Sequence, residues 1–434
     1  MQRLKQRTTA KRAIGLLLIC LLGMPSVMFG QYSLQMFLDS ALIRNPEAVA
    51  IQSQIRSIEF DNQMISAVLQ APKASISSEV LVAPYLNNGG QLIDTEPSAK
   101  AIGYDVGITN GGLYSFLFNL EMPLLKGKQV AHLQEQNQLE VNRLKNRLGL
   151  IENELKKTIG DLYFEALAQQ VTLDNYRRNA MLLNEEFQII KSLTRKGLFR
   201  ISEYKLMELE LKSDSINVST SASDFEFALR QLKVACGMRT PEISRLAETS
   251  VEMTPAQKAP SLFVTTFAYD SLATVAQRQV FNDRYLPQLN VYFNSGLNST
   301  SIPMLQRHIG ASAGVQLTYQ LFDGHQRKIN EQQQLLAMNN AAAQKELKIN
   351  EVKSQADALF QNIQKTRIEL DRQKQLQGEY ADLLKIYQDE VSKAQISVID
   401  LIAFLKKYRE INLNISVREI MLNKMINEYN YWNR

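Results

Sequence analysis

Between Leu124 and Thr194 the chain has no proline, and apolar residues return every three or four positions. They are Val141, Leu144, Leu148, Ile151, Leu155, Ile159, Leu162 and Ala166, then Tyr176, Ala180, Leu183, Phe187 and Ile190. That spacing marks one face of an α-helix. It predicts a single helix of about 70 residues, or about 105 Å at the usual rise. Most other positions are Gln, Asn, Lys or Glu, so the apolar stripe is narrow. So thin a stripe on so long a helix cannot be buried within one globule. It suits lateral, coiled-coil-like packing against neighbours. A second long helix, about 325–392, carries Ile349, Val352, Ala356, Leu359, Ile363, Leu370, Leu383, Tyr387 and Val391 at the same spacing.

The elements around these helices occur twice in the same order. The first set spans 31–238. Leu34, Phe37, Leu38, Ala41 and Leu42 form a helical face behind Ser33, a credible N-cap, and Asn45-Pro46 restarts a helix that Ala71-Pro72 ends. A strand pair follows at about 73–122. Ala74, Ile76, Ser78, Val80 and Val82, then Tyr114, Phe116, Phe118, Leu120 and Met122, alternate with a mostly polar set. The long helix (about 124–194) breaks at Lys196-Gly197, and a return helix (201–236) ends before Gly237. A linker at 239–260 contains Pro241, Pro255 and Pro260. The second set spans 261–434: a helix broken by Leu286-Pro287, a strand pair at about 287–322, the long helix at about 325–392, a break at Ala394–Ser397, and a return helix at 398–432. In the strand pair, Leu289, Val291 and Phe293, then Val315, Leu317, Tyr319 and Leu321, lie on one side. A duplication of about 200 residues is the expected organisation.

Charge and leader indicate export. Residues 1–30 hold five of the 49 basic residues and no acidic one, so the remainder carries 44 of each sign. A nucleic-acid-binding chain would keep a basic patch after processing, and this one does not. The basic start precedes the apolar run Ala13–Met24, Pro25, Ser26 and Gly30, the layout of a secretory signal peptide cleaved near Gly30. Ile19 before Cys20 argues against lipidation. Beyond Gly30 only Cys236 remains as cysteine, and no apolar run approaches the roughly 20 residues of a spanning helix. Strands of a membrane barrel stay possible, being short and individually weak signals.

The strands set a second constraint. At about 9–12 residues each they match tilted membrane-crossing strands, with apolar residues toward lipid and Gln, Asn, Ser and Thr toward a wet lumen. Four strands cannot close a barrel, and an open edge cannot sit in a bilayer. Other copies must complete them. Three copies give twelve strands, whereas two give eight, a barrel filled by its own side chains. Trimerisation satisfies helix stripes and strand edges together. The fold class expected is α+β: four transmembrane strands per protomer in a twelve-stranded trimeric barrel, with the long helices packed side by side like staves.

At this point the chain resembles the TolC-type outer-membrane efflux proteins, from about Gln31 to Trp432. The motifs are Ala41-Leu42 with Asn45-Pro46, Tyr285-Leu286-Pro287-Gln288, and Val315 to Gly324 (VQLTYQLFDG) with its first-half counterpart Phe118 to Gly127 (FNLEMPLLKG). Two helix tips match as well, KGLFRISEYKLMELE (Lys196–Glu210) and KAQISVIDLIAFLKK (Lys393–Lys407). The resemblance implies a homotrimer in outer-membrane lipid, its long helices forming a periplasmic α-barrel. Its partners would be a periplasmic adaptor (membrane fusion) protein and an inner-membrane transporter of the RND or ABC type, with no nucleic acid. It also implies a periplasmic constriction ringed by acids. The Ile-Ser-x-x-Asp pattern places Asp400 on a constriction position, Ala403 stands where a second acid is usual, and Glu203 is the first-tip equivalent. The alternative for Asp400 and Glu203 is capping of the return helices, since carboxylates favour helix N-termini. Adaptor docking is expected at Gly197, Leu198, Ile201 and Ser202 and at Ile396, Ser397 and Val398, with intra-tip packing as the alternative for Ile201 and Val398. The family glycine present as Gly197 is Ala394 in the second tip. The lipid-facing strand residues expected are Tyr114, Phe116, Phe118, Leu289, Val291, Phe293, Val315, Leu317 and Tyr319, with Tyr85, Tyr114 and Tyr319 as interface-belt candidates.

No catalytic constellation, cofactor site or metal site is legible. His132, His308 and His325 are far apart, Cys236 sits beside a helix end, and no strand–glycine-loop–helix phosphate motif occurs. Transport energy would come from a partner. An exit duct for small compounds leads the functional readings. The duct of a type I protein secretion system is its close rival, and a trimeric coiled-coil adhesin or a barrel hydrolase are the remote ones.

Overall fold

The structure is a computed structural model that describes residues 32–94, 96–104, 112–238, 245–255 and 261–434. The expected signal segment 1–30, and the linker apart from 245–255, lie outside them. Elements run in the order α1 (Leu34–Arg44), α2 (Pro46–Leu69), β1 (Lys73–Val82), β2 (Gly112–Pro123), α3 (Gly127–Arg195), α4 (Ile201–Ala235), α5 (Leu262–Asn282), β3 (Gln288–Ser299), β4 (Ile309–Thr318), α6 (Gln326–Ser392) and α7 (Val398–Trp432). The helices α3 and α6 have 69 and 67 residues, each about 100 Å long. Among the described residues no helix is long and apolar enough to cross a membrane.

Two compact units divide the chain, and each draws on both halves of the sequence. One takes the described residues of 32–45, 153–255 and 356–432, and the other those of 46–152, 256–355 and 433–434.

The first unit has the larger apolar core. Phe37, Leu38 and Ala41 of α1 pack with Ile159, Tyr163, Phe164 and Leu167 of α3, Leu229 and Leu232 of α4, and Cys236. Phe37, Tyr163 and Phe164 meet edge to face, the arrangement that aromatic quadrupoles favour. Segment 245–255 is docked onto this unit through its backbone. Gln170 holds both the N–H and the carbonyl of Leu246 (2.7 and 3.1 Å). Asn423 accepts from the Val251 N–H at 3.0 Å, and Asn430 accepts from the Thr254 N–H and donates to the Glu252 carbonyl, both at 2.8 Å. Tyr163 donates to the Ala247 carbonyl at 2.6 Å. Apart from a short parallel bridge to Tyr32 this segment has no ladder, so these side chains supply partners for its backbone.

In the second unit amides and hydroxyls join the helices. Asn146 donates to the Leu262 carbonyl (3.1 Å) and Thr266 (2.9 Å), Asn137 to Asn62 (2.8 Å) and Gln134 to Ser66 (3.2 Å). Leu262 packs over Gly149, where an added Cβ would meet it at 3.6 Å. This unit also contains the sheet, a four-stranded antiparallel meander in the order β1-β2-β3-β4. Two of the resemblance motifs interlock at its entry. Tyr285 of the YLPQ motif donates to Asp323 of the LFDG motif at 2.7 Å, and Asp323 also accepts the His325 and Arg327 N–H groups, each at 2.9 Å. These hydrogen bonds, the Tyr285 hydroxyl first, hold the Asp323 carboxyl below its ordinary value.

Candidate functional site

Register decides which side chains share a face of the sheet. Phe116 and Phe118 lie opposite Ser78 and Ile76 of β1 and opposite Leu297 and Ser295 of β3. Tyr114 lies opposite Val80, and Leu120 and Met122 lie opposite Phe293 and Val291. Leu289, Val291 and Phe293 in turn lie opposite Leu317, Val315 and Ala313 of β4. Directly opposed residues point the same way. The expected lipid-facing residues from Tyr114 to Leu317 therefore fall on one face, joined by Ile76, Val80, Val82, Leu297 and Ile309. Tyr319 lies one residue past the end of β4 and is exposed. Phe116, Phe118, Val291, Phe293, Val315 and Leu317 are all exposed in the single chain. A continuous exposed apolar face of this extent needs a partner or a lipid phase.

The opposite face is mostly polar, broken by Leu81, Leu113, Leu117 and Tyr292. Ser75, Ser77, Asn119, Asn290, Asn294, Asn298, Ser312 and Gln316 lie on it by the same register, and Lys73 stands opposite Glu121. Asn119 donates to Ser77 at 2.8 Å. Gly296 lets two backbones approach on this face, since an added Cβ would lie 2.1 Å from the Phe116 carbonyl oxygen. The outer edges of β1 and β4 have no strand partner among the described residues, so their backbone groups on those sides are unmatched.

The helix tips belong to the first unit. Both long helices end in the same hydrogen-bond pattern, the Schellman motif. The Gly197 N–H donates to Thr194 (2.9 Å) and the Leu198 N–H to Leu193 (3.0 Å). In the second tip the Ala394 N–H donates to Val391 and the Gln395 N–H to Glu390, each at 2.9 Å. The motif requires a left-handed residue, and φ is +77° at Gly197 and +55° at Ala394. Ala394 therefore adopts a conformation that its Cβ disfavours.

Each proposed gate acid is engaged at the start of its return helix. Glu203 accepts the Arg200 N–H at 2.9 Å. Asp400 accepts the Ser397 hydroxyl at 2.9 Å, while its own N–H donates to that hydroxyl at 3.2 Å. The Glu203 contact is one arm of a capping box, whereas in the second tip the cap is the Ser397 hydroxyl, which Asp400 holds in place. Asp400 remains exposed and Glu203 half-buried. Of the expected docking residues, Gly197, Leu198 and Ser202 are exposed, Ile396 and Ser397 half-buried, and Ile201 is 74% exposed. Val398, equivalent to Ile201, follows the alternative of intra-tip packing. It is 0% exposed and belongs to the apolar cluster that joins both tips through Leu183, Phe187, Ile190, Met207, Val391, Leu401 and Phe404. It packs the tip, and its neighbour Ile399 is the exposed apolar residue there. Phe187 stacks on Tyr204 (5.3 Å) in the first hairpin, and Phe404 stacks on Tyr387 (4.4 Å), Tyr380 (5.9 Å) and Tyr408 (6.4 Å) in the second.

Sequence reasoning missed the buried charges above the tips. Asp214 is 0% exposed and pairs with Arg409 of α7. The signal was present: Met207, Asp214, Ser221 and Ala228, all buried, are seven residues apart, which places a carboxylate in the apolar seam of α4. Glu186 of α3 is 2% exposed and accepts from Gln388 of α6 at 2.8 Å. Burial pushes its carboxyl up from the ordinary glutamate value, the Gln388 amide opposing the rise and Glu185 adding to it. The histidines lie apart: His132 beside Asp283 (2.9 Å), His308 beside the Met304 carbonyl (3.0 Å), and His325 against the Phe322 ring.

A four-stranded sheet with one apolar face, joined in sequence to very long helices, is the fold of the TolC-like outer-membrane channel proteins. Solved structures of that class superpose on this chain over most of its length. The CmeC outer-membrane channel of Campylobacter jejuni matches with a TM-score of 0.68 at 12% identity, over 92% of this chain and 85% of its own. The outer-membrane protein VceC of Vibrio cholerae matches with 0.65 at 10% identity, over 92% and 96%. The open state of the MtrE outer-membrane channel of Neisseria gonorrhoeae matches with 0.67 at 13% identity, over 92% and 88%. No protein-family model matches the sequence, and no curated protein does.

Proposed function

We propose that three copies of this chain join into an outer-membrane channel with a periplasmic helical extension, the exit duct of a tripartite efflux system. The observation that carries this reading is the sheet, whose apolar face and two unpartnered edges meet the demands of a bilayer only when further copies complete it. Twelve strands from three chains are an even number in the range of membrane barrels. The polar face would line the lumen. The exposed apolar residues Leu336, Leu347 and Ile368 of α6 and Leu209, Ile216 and Phe227 of α4 would be covered by neighbouring copies. The likeness to outer-membrane channel structures supports the same reading.

Cargo would be small molecules, delivered by an inner-membrane transporter through a periplasmic adaptor. We assign docking to the exposed turn residues Leu198, Ile201 and Ser202, with Ile399 in the second tip. Asp400 and Glu203 would ring the periplasmic neck as well as support the caps of their helices, which favours cation passage. The test is conductance in planar bilayers. The wild type should conduct weakly with cation preference, and Asp400→Ala should reduce that preference. Unchanged selectivity would leave Asp400 as a support of its cap alone, and absence of any conductance would remove the channel reading.

A further inference from the structure

Asp214 occupies a seam position of α4 and is fully buried. Its Oδ1 accepts from Arg409 Nη1 of α7, and its Oδ2 has no hydrogen-bond partner. Arg409 also lies 3.5 Å from Glu210, whose second oxygen pairs with Lys406 at 2.9 Å. Facing this group from α3 is Asn179, whose Nδ2 is likewise buried without a partner. Asn179 and Asp214 line the same cavity of about 20 Å³, with Leu183 and Ile402 on its apolar side. An orphaned donor and an orphaned acceptor thus border one small polar space.

We propose that this cavity is an internal hydration site, holding one water that accepts from Asn179 Nδ2 and donates to Asp214 Oδ2. Size fits, because a space of about 10–15 Å³ by this measure is enough for a single water. The chemistry selects water over an ion. Two carboxylates face two cations, so the node has no net charge to attract a counter-ion. A metal cation cannot accept from the amide N–H, and a halide cannot donate to the carboxylate; water does both. Buried polar atoms are satisfied by protein or by ordered water, and here the protein leaves two atoms unmatched. The consequence is mechanical. The Asp214–Arg409 pair joins α4 to α7, and the water extends that junction to α3, so three helices above the tips are held through one wet node. All the residues lie within one chain and one compact unit, so the site stands whether or not the conduit reading does.

The test is a density map of the full-length detergent-solubilised protein at a resolution that shows ordered waters. The expected result is a peak in every copy within about 2.7–3.2 Å of both Asn179 Nδ2 and Asp214 Oδ2. A direct Asn179–Asp214 bond with the cavity closed, or a peak ringed only by oxygen ligands, would overturn the site. Asn179→Leu keeps the side-chain volume and removes the donor, so its peak should be lost. A peak that persists in this variant would mean that Asp214 and Arg409 hold the water alone, which contradicts the bridge.

Discussion

Phe293 and Asn294 are adjacent near the middle of β3 but face opposite sides of the sheet. Phe293 is opposed by Leu120 and Ala313, and Asn294 by Asn119 and Ser312. If the apolar face meets hydrocarbon and the polar face meets water, one substitution at the two positions has very different consequences. An arginine near the midplane on the lipid side of a barrel costs about 2–4 kcal/mol per chain, and a lumen-facing one little. In a three-chain barrel Phe293→Arg would then cost about 6–12 kcal/mol, and the equilibrium would move by about 30- to 900-fold for each chain. Asn294→Arg should stay within about 1 kcal/mol per chain, its long side chain extending into a wet bore. The assay is refolding of each variant into lipid vesicles across a urea series, scored by the fraction recovered as detergent-resistant oligomer. Phe293→Arg should shift the midpoint strongly toward lower urea and Asn294→Arg should leave it near wild type. Equal shifts, or a larger one for Asn294→Arg, would refute the assignment of faces.

Two further substitutions probe the tips. Ala394→Gly should stabilise the second tip by about 1 kcal/mol by relieving the left-handed alanine, and Gly197→Ala should weaken the first by a similar amount. Amide hydrogen exchange across 390–398 and 193–201 measures both. Glu186→Gln should raise the melting temperature at neutral pH. The carboxyl value of Glu186 is raised in the folded state by burial, so stability falls as pH rises from the unfolded carboxylate value through the folded one. Below that window the acid is protonated in both states and the variant should match wild type. A stabilisation equal at all pH values would point to packing instead.

The long helices were legible because a proline-free run with recurrent apolar positions admits few other conformations. The strands were legible only in part. β3 continues to Ser299 and β4 begins at Ile309, whereas hydropathy alternation fades in just those halves. Small residues occupy apolar-face positions there: Ser295, Ala311 and Ala313 leave little pattern to read. Long-range pairing keeps them in the sheet: Ser295 lies opposite Phe118 of β2, and Ala311 and Ala313 lie opposite Ser295 and Phe293 of β3. Val398 illustrates the same limit at the tips. It and Ile201 hold matching places in matching motifs, yet Val398 is buried in the apolar cluster that joins the tips and Ile201 is exposed outside it. The Asp214 carboxylate was visible as a break in a heptad stripe. Its partner Arg409 lies 195 residues away, beyond any local pattern.

The number of chains in the purified, detergent-solubilised particle bears most directly on the assembly, and native mass spectrometry counts them. Three chains per particle, persisting on dilution, is the expected result. A single chain that stays monodisperse, with its sheet edges and apolar face satisfied by detergent alone, would contradict it.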